Sequence, residues 1–240
     1  LAAAGATGPS SVLEGRRGLY AALTDRPTNF AALTEGLGTR WEATRIGIKP
    51  YPSCQLMHVT LDAVTKALGD SAVQASEVAD IEVFVHPDSS PFVCGPNTGV
   101  ASPRSTYDGK FDLPWSVAAL LHDGAITVST YTDESIARED VLVTARKVRV
   151  TNLPSEVPAA AASGRAVLTL TDGRVLDASV GGSQGSAGFP LSDDRLLEKF
   201  LGNCGNDSRA TELSDRVLGL VDETDLTAIL DLAAAIAPAP

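Results

Sequence analysis

Cysteine is scarce in this chain, and the three present, Cys54, Cys94 and Cys204, stand far apart. An odd count with no Cys-x-x-Cys pair excludes a disulfide framework and the usual zinc spacing, and it points to a reducing compartment, the cytoplasm. Histidine is as sparse. His58, His86 and His122 show no ligand spacing, so no metal site is expected. Positive charge is in deficit, with a net charge of −11. Without a basic face there is nothing to hold the phosphates of a nucleic acid. No run reaches the roughly 18 apolar residues that a membrane span needs, and the first residues do not read as a secretory signal. A phosphate-binding loop, a Ser-His-Asp order and an internal repeat are also missing. Gly181-Gly182-Ser183-Gln184-Gly185 reads as a loop, without the preceding strand and following helix of a dinucleotide fingerprint.

What is present is enough apolar material for a sizeable core: 44% of 240 residues are hydrophobic. Residues 1–40 read as helical and loop material. Arg45–Ile48 alternates like a strand and is stopped by Lys49-Pro50-Tyr51-Pro52, because proline removes a donor and restricts the residue before it. Gln55–Leu68 reads as a helix with Met57, Leu61, Val64 and Leu68 on one face. Ile81–Val85 is a strand, and Pro87–Pro103 a long loop. Pro114 opens a helix that ends near Asp123-Gly124. Lys147–Thr151 is a strand, followed by a linker at Pro154–Gly164. Ala166–Val180 is a hairpin turning at Asp172-Gly173. After the Gly/Ser-rich segment at 181–188, Ser192 caps a helix carrying Leu196, Leu197, Phe200 and Leu201. Two more helices follow, over Glu212–Val221 and Asp225–Ile236. The order predicts an α+β fold: a mixed α+β lid domain at 41–182 inserted between helical segments, 1–40 and 183–240, that belong to a larger all-helical domain.

Two segments carry candidate chemistry. In Lys49-Pro50-Tyr51-Pro52-Ser53-Cys54-Gln55-Leu56-Met57-His58, a lysine sits on a proline-stiffened turn at the start of a helix. A helix N-terminus offers free N–H groups and partial positive charge, so the pair suits a carboxylate. His58 is either a general base or an exposed helix histidine, and Asp62, one turn on, is placed to orient it. Cys54 reads as a small buried hydrophobe. The second segment runs from Pro103 to Ala118. Its Arg104 and Lys110 either clamp carboxylates or pair with nearby aspartates.

The first segment resembles the Lys-Pro-Tyr-Pro-Cys-Cys-x-x-x-His signature of the MmgE/PrpD family. Asp108-Gly109-Lys110-Phe111-Asp112-Leu113-Pro114-Trp115-Ser116-Val117-Ala118 is similar to that family's Asp-Ala-Lys-Phe-Ser-Leu-Pro-Tyr-Ala-Val-Ala. Leu170–Arg174, Pro190–Asp193 and residues 1–22 resemble further family segments in the same order. The resemblance implies a large helical domain, a smaller α+β lid and an active site in the cleft between them. It implies a lyase or isomerase that uses no cofactor and abstracts a proton next to a carboxylate of a small di- or tricarboxylate. Dehydration leads; decarboxylation, epimerisation and a non-catalytic anion-binding module are the alternatives. Lys49 and His58 are the implied catalytic residues. Lys49, Tyr51 and Cys54 are the implied substrate contacts, joined by Arg104 and Lys110. The family's tail has a Pro-Lys-Gly loop where this chain has Gly182-Ser183-Gln184-Gly185, which removes a cation there. The chain matches the family's C-terminal half, so the expected partners are a chain carrying the N-terminal half and a second copy of the complete unit in a dimer.

Overall fold

The computed structural model describes residues 1–94 and 103–236. They form two compact units, Leu1–Arg45 and Ile46–Pro240. The first unit has only short helical turns, at Ala2–Ala4, Leu19–Leu23, Ala31–Thr34 and Glu42–Arg45, none of which buries a residue. Tyr20 and Phe30 pair edge-to-face within it, 5.8 Å between ring centres. The glycines and prolines of this stretch cut every helix below the length at which a helix holds itself together.

The second unit is α+β. Its strands are β1 (Val78–Val85), β2 (Val148–Asn152), β3 (Gly164–Leu170) and β4 (Val175–Val180), in the sheet order β2-β1-β3-β4. β1 and β2 run parallel; β1–β3 and β3–β4 are antiparallel. The turn at Gly173, with φ 89°, closes the hairpin where Asp172-Gly173 predicted it. Alternation decides the faces. Ile81 lies between Val148 and Leu168 and points inward, whereas Glu82 lies between Arg149 and Val167 and points outward. The outward face is polar, with Arg149 paired to Asp80 and Arg165 paired to Asp177.

The inward face is covered by α1 (Gln55–Leu68), α2 (Leu113–Asp123) and α3 (Glu139–Ala145). α1 packs on β3 and β4, and α2 packs on α3 and β2. Met57, Leu61, Ile81, Leu113, Trp115, Leu168 and their neighbours make one continuous core. Each such side chain contributes about 1.5–3 kcal/mol through burial. Local signals set the helix ends. Asp112 accepts a hydrogen bond from the Trp115 amide ahead of Pro114, and Gly124 ends α2 in the left-handed conformation. Beyond the hairpin come α4 (Asp193–Asn203), capped by Ser192 as predicted, α5 (Arg209–Leu218) and α6 (Thr227–Ala235).

Three expectations need correction. Arg45–Ile48 is not a strand: Glu42–Arg45 is a 3-10 turn, and the extended residues after it make one ladder-type bond, from the Ile48 amide to the Gly185 carbonyl (2.7 Å). α1 is not half-buried on a single face, since every residue from Met57 to Val64 is buried. And a strand, β4, does precede the Gly181–Gly185 segment, although no helix follows until Asp193. Of the loop expected at 87–103, residues 90–93 form a short helical turn, while 95–102 lie outside the described residues.

Helix and sheet backbones come close at Gly164, where a Cβ would stand 2.3 Å from the Val59 carbonyl oxygen. Gly164→Ala is expected to destabilise the unit by about 1–3 kcal/mol, as overpacking does. Urea unfolding of the two proteins reads the difference.

Candidate functional site

The turn before α1 is held from three directions. Pro50 and Pro52 stiffen it, and the Cys54 amide at the helix start donates to the Lys110 carbonyl at 2.8 Å, so the two sequence segments meet through their backbones. Lys49 folds back over the turn and its Nζ donates to the Ser53 carbonyl at 3.1 Å. From the helix, His58 Nε2 lies 3.3 Å from the same oxygen. A carbonyl only accepts, so Nε2 carries the ring proton and Nδ1 keeps the lone pair. Lys49 and His58 are therefore joined on a single acceptor.

His58 is 1% exposed, which overturns its reading as an exposed helix histidine. Burial pushes its pKa down to about 4; the Ser53 carbonyl opposes that and the Lys49 charge adds to it. The ring is neutral at pH 7. Tyr51 stands edge-on to it, 5.2 Å between ring centres.

Asp62 does not orient His58. Its Oδ1 accepts from the Tyr51 hydroxyl (2.8 Å) and its Oδ2 from the Gln184 amide (2.8 Å). Burial raises the Asp62 pKa, while the Gln184 amide, the Tyr51 hydroxyl and the nearby Arg195 charge pull it down. Burial likewise raises Tyr51, and the Asp62 carboxylate adds to that. On the second segment, Asp112 is pushed up to about 6 by burial, against the Trp115 amide and reinforced by Asp108.

The pocket at this site is lined by Gly47, Ile48, Lys49, Gln55, His58 and residues 183–186. Its volume is about 20 Å³, room for one water molecule. Lys49 and His58 thus come together as expected, with Tyr51 and Cys54 in the adjoining turn. Arg104 does not join them. It is exposed and pairs with Asp108 at 3.1 Å, and neither it nor the Lys110 side chain lines the pocket. Sequence reasoning missed the wall at 183–186. The available signal was the glycine run directly after a strand, a mark of close backbone approach. A wider surface groove of about 550 Å³ runs past Asp123, Thr127, Thr130 and Glu134; its lining is mainly hydroxyls, with two carboxylates and no cation to hold a carboxylate. Among the described residues, no three His, Cys, Asp or Glu side chains converge to hold a metal ion, and no helix is long and apolar enough to cross a membrane.

Residues 51–219 match the model of the MmgE/PrpD C-terminal domain. The chain belongs to the MmgE/PrpD family. It is 28% identical over 222 residues to a cis-aconitate decarboxylase of Aspergillus terreus, a match covering 86% of this chain and 44% of the relative. A cis-aconitate decarboxylase of Aspergillus terreus strain NIH 2624 / FGSC A1156 is 26% identical over 220 residues, with the same coverage of each. The chain thus spans less than half the length of the curated relatives it matches.

The site makes a pH prediction. A ring held down to about 4 in the folded protein, against an ordinary value near 6.5, refuses a proton that the unfolded chain accepts between those values. The stability it contributes is present above about pH 6.5 and is lost as pH falls towards 4. Imidazole NMR is expected to show His58 neutral and Nε2-protonated down to about pH 5. Lys49→Met is expected to move its titration upward, since a neighbouring positive charge is removed.

Proposed function

We propose that this chain supplies the lysine- and histidine-bearing part of a lyase that acts on a small di- or tricarboxylate. The observation that carries the reading is the Lys49 ammonium and the neutral His58 ring held on one carbonyl, at a helix start, in a chain of this family. Dehydration begins with loss of a proton next to a carboxylate, and decarboxylation ends with gain of one there. Either step requires a cation on the neighbouring carboxylate, where negative charge develops, and a group with a free lone pair that can take up a proton or deliver one. Lys49 fills the first role and His58, through Nδ1, the second. Tyr51 and Cys54 shape the turn between them. The reading needs no redox cofactor. The names of the two relatives favour decarboxylation, which places dehydration second.

A pocket the size of one water cannot enclose a tricarboxylate, so the remainder of the site is proposed to come from the N-terminal half of the family fold, whether in the same chain or a separate one. Exposed apolar side chains support a missing neighbour. Leu23, Leu37 and Trp41 in the first unit are more than 60% exposed, as are Leu218, Val221 and Leu230 in the second. Large apolar areas of this kind mark surfaces that are covered in the working protein. The division into helical 1–40, α+β 41–182 and helical 183–240, and a dimer of the complete unit, belong to the same proposal.

The test is turnover by the protein reconstituted with that half, assayed for loss of carbon dioxide from cis-aconitate and for dehydration of citrate-like substrates. Lys49→Ala is expected to lower kcat/KM by at least about 2 kcal/mol, the order of one lost charge-assisted hydrogen bond. Turnover that survives Lys49→Ala unchanged rules out the role given to Lys49. Absence of turnover on every substrate, with citrate still bound, would make the chain an anion-binding module.

A further inference from the structure

The segment that carries Lys49 is pinned at both ends. On its N-terminal side the Ile48 amide donates to the Gly185 carbonyl at 2.7 Å. Two residues beyond the lysine, the Tyr51 hydroxyl donates to Asp62 Oδ1 at 2.8 Å. The two anchors are themselves connected, because Gln184, the residue before Gly185, donates its amide to Asp62 Oδ2 at 2.8 Å. Three hydrogen bonds therefore close a ring through α1, the lysine turn and the pocket wall, with Lys49 in the middle. There is no slack at the far corner. Gly185 has φ 79°, and a Cβ on it would stand 1.8 Å from the Ile48 carbonyl oxygen. Asp62 is 8% exposed and its two oxygens serve two segments that are otherwise distant in sequence.

We propose that Asp62 is the positioning residue of this pocket: through Tyr51 and Gln184 it fixes the Lys49 turn against the wall at 183–186. It acts through Lys49 and does not touch the ligand. A neutral side chain of the same shape keeps an acceptor for one of the two donors, whereas alanine keeps neither. The ring predicts that its two ends loosen together. The proposal rests on the reading of Lys49 as the carboxylate-binding group only for its effect on affinity; the pinning itself is independent of that reading.

The experiment compares the protein reconstituted with the N-terminal half of the family fold against its Asp62→Ala, Asp62→Asn and Tyr51→Phe variants, using three readouts. Amide hydrogen exchange is followed at 46–49 and 182–186, the acylation rate of the Lys49 amine is measured by mass spectrometry, and citrate binding is measured by calorimetry. In Asp62→Ala, exchange at both segments is expected to rise about tenfold or more while the sheet stays protected, and Lys49 acylation is expected to quicken. Citrate affinity is expected to fall about tenfold, with no further fall when Asp62→Ala is added to Lys49→Met. Asp62→Asn and Tyr51→Phe are expected to be intermediate, and they decide the matter if the alanine variant does not fold. Exchange that rises in one segment alone, or unchanged Lys49 acylation, overturns the proposal. So does a citrate loss that adds fully to that of Lys49→Met. If wild type and Lys49→Met bind citrate equally, the carboxylate role of Lys49 fails, and exchange and acylation still decide the role of Asp62.

Discussion

A helix that carries a histidine and an aspartate through the middle of a core has to be given hydrogen-bond partners there, because an unpaired buried polar group costs several kcal/mol. α1 has this problem between Met57 and Val64, all of it buried. One side is satisfied by apolar packing on β3 and β4. On the other, His58 and Asp62 are satisfied by two loops that come to the helix, while the Thr60 hydroxyl has no partner among the described residues. The turn at 49–53 offers a carbonyl to His58 and a hydroxyl to Asp62, and the segment at 183–186 offers an amide to Asp62. The candidate site is the place where these loops meet. Its geometry follows from the demand for polar partners, and its chemistry from which partners the sequence supplies.

What was legible in the sequence was local. The proline turn at 50–52 precedes α1, Pro114 and Gly124 bracket α2, and Asp172-Gly173 turns the hairpin; each signal acts within a few residues, and each element appeared where expected. That Lys49 and His58 come close was legible for the same reason, since nine residues of turn and helix start fix their relation; their roles were read from the family resemblance. What joins distant segments was not legible. The parallel pairing of β1 with β2 spans a long crossover with no signature at either strand. Arg45–Ile48 alternates like a strand but finds one backbone partner and no ladder. Asp62 was assigned to His58 because one helical turn separates them, whereas its partners come from Tyr51, 11 residues before it, and Gln184, 122 residues after it.

Charge shows the same separation of local from distant. Arg104 stands in a segment that resembles the family and is a cation near a helix, yet an aspartate four residues along takes it at the surface. Among the described residues Lys49 has no such neighbour. Its ammonium is engaged by a backbone carbonyl, an uncharged acceptor that leaves its positive charge uncompensated. Lys66 and Lys147 are engaged by backbone carbonyls in the same way, at Ser179 and Val78; Lys49 differs from them in lining a pocket, where a local positive charge suits an anion. This is why a net charge of −11 did not exclude an acidic ligand.

The wall formed by residues 183–186 also has a consequence for assembly in time. Chains are made from the N-terminus, and contacts between distant segments form after local ones. The lysine turn and α1 leave the ribosome more than a hundred residues before Gln184 does. Until β3 and β4 have paired and delivered that segment, Asp62 has its Tyr51 partner but not its Gln184 one, and the pocket lacks its wall. The pocket thus closes only after the hairpin has formed, and a chain that stalls before it leaves one oxygen of the Asp62 carboxylate without its amide partner.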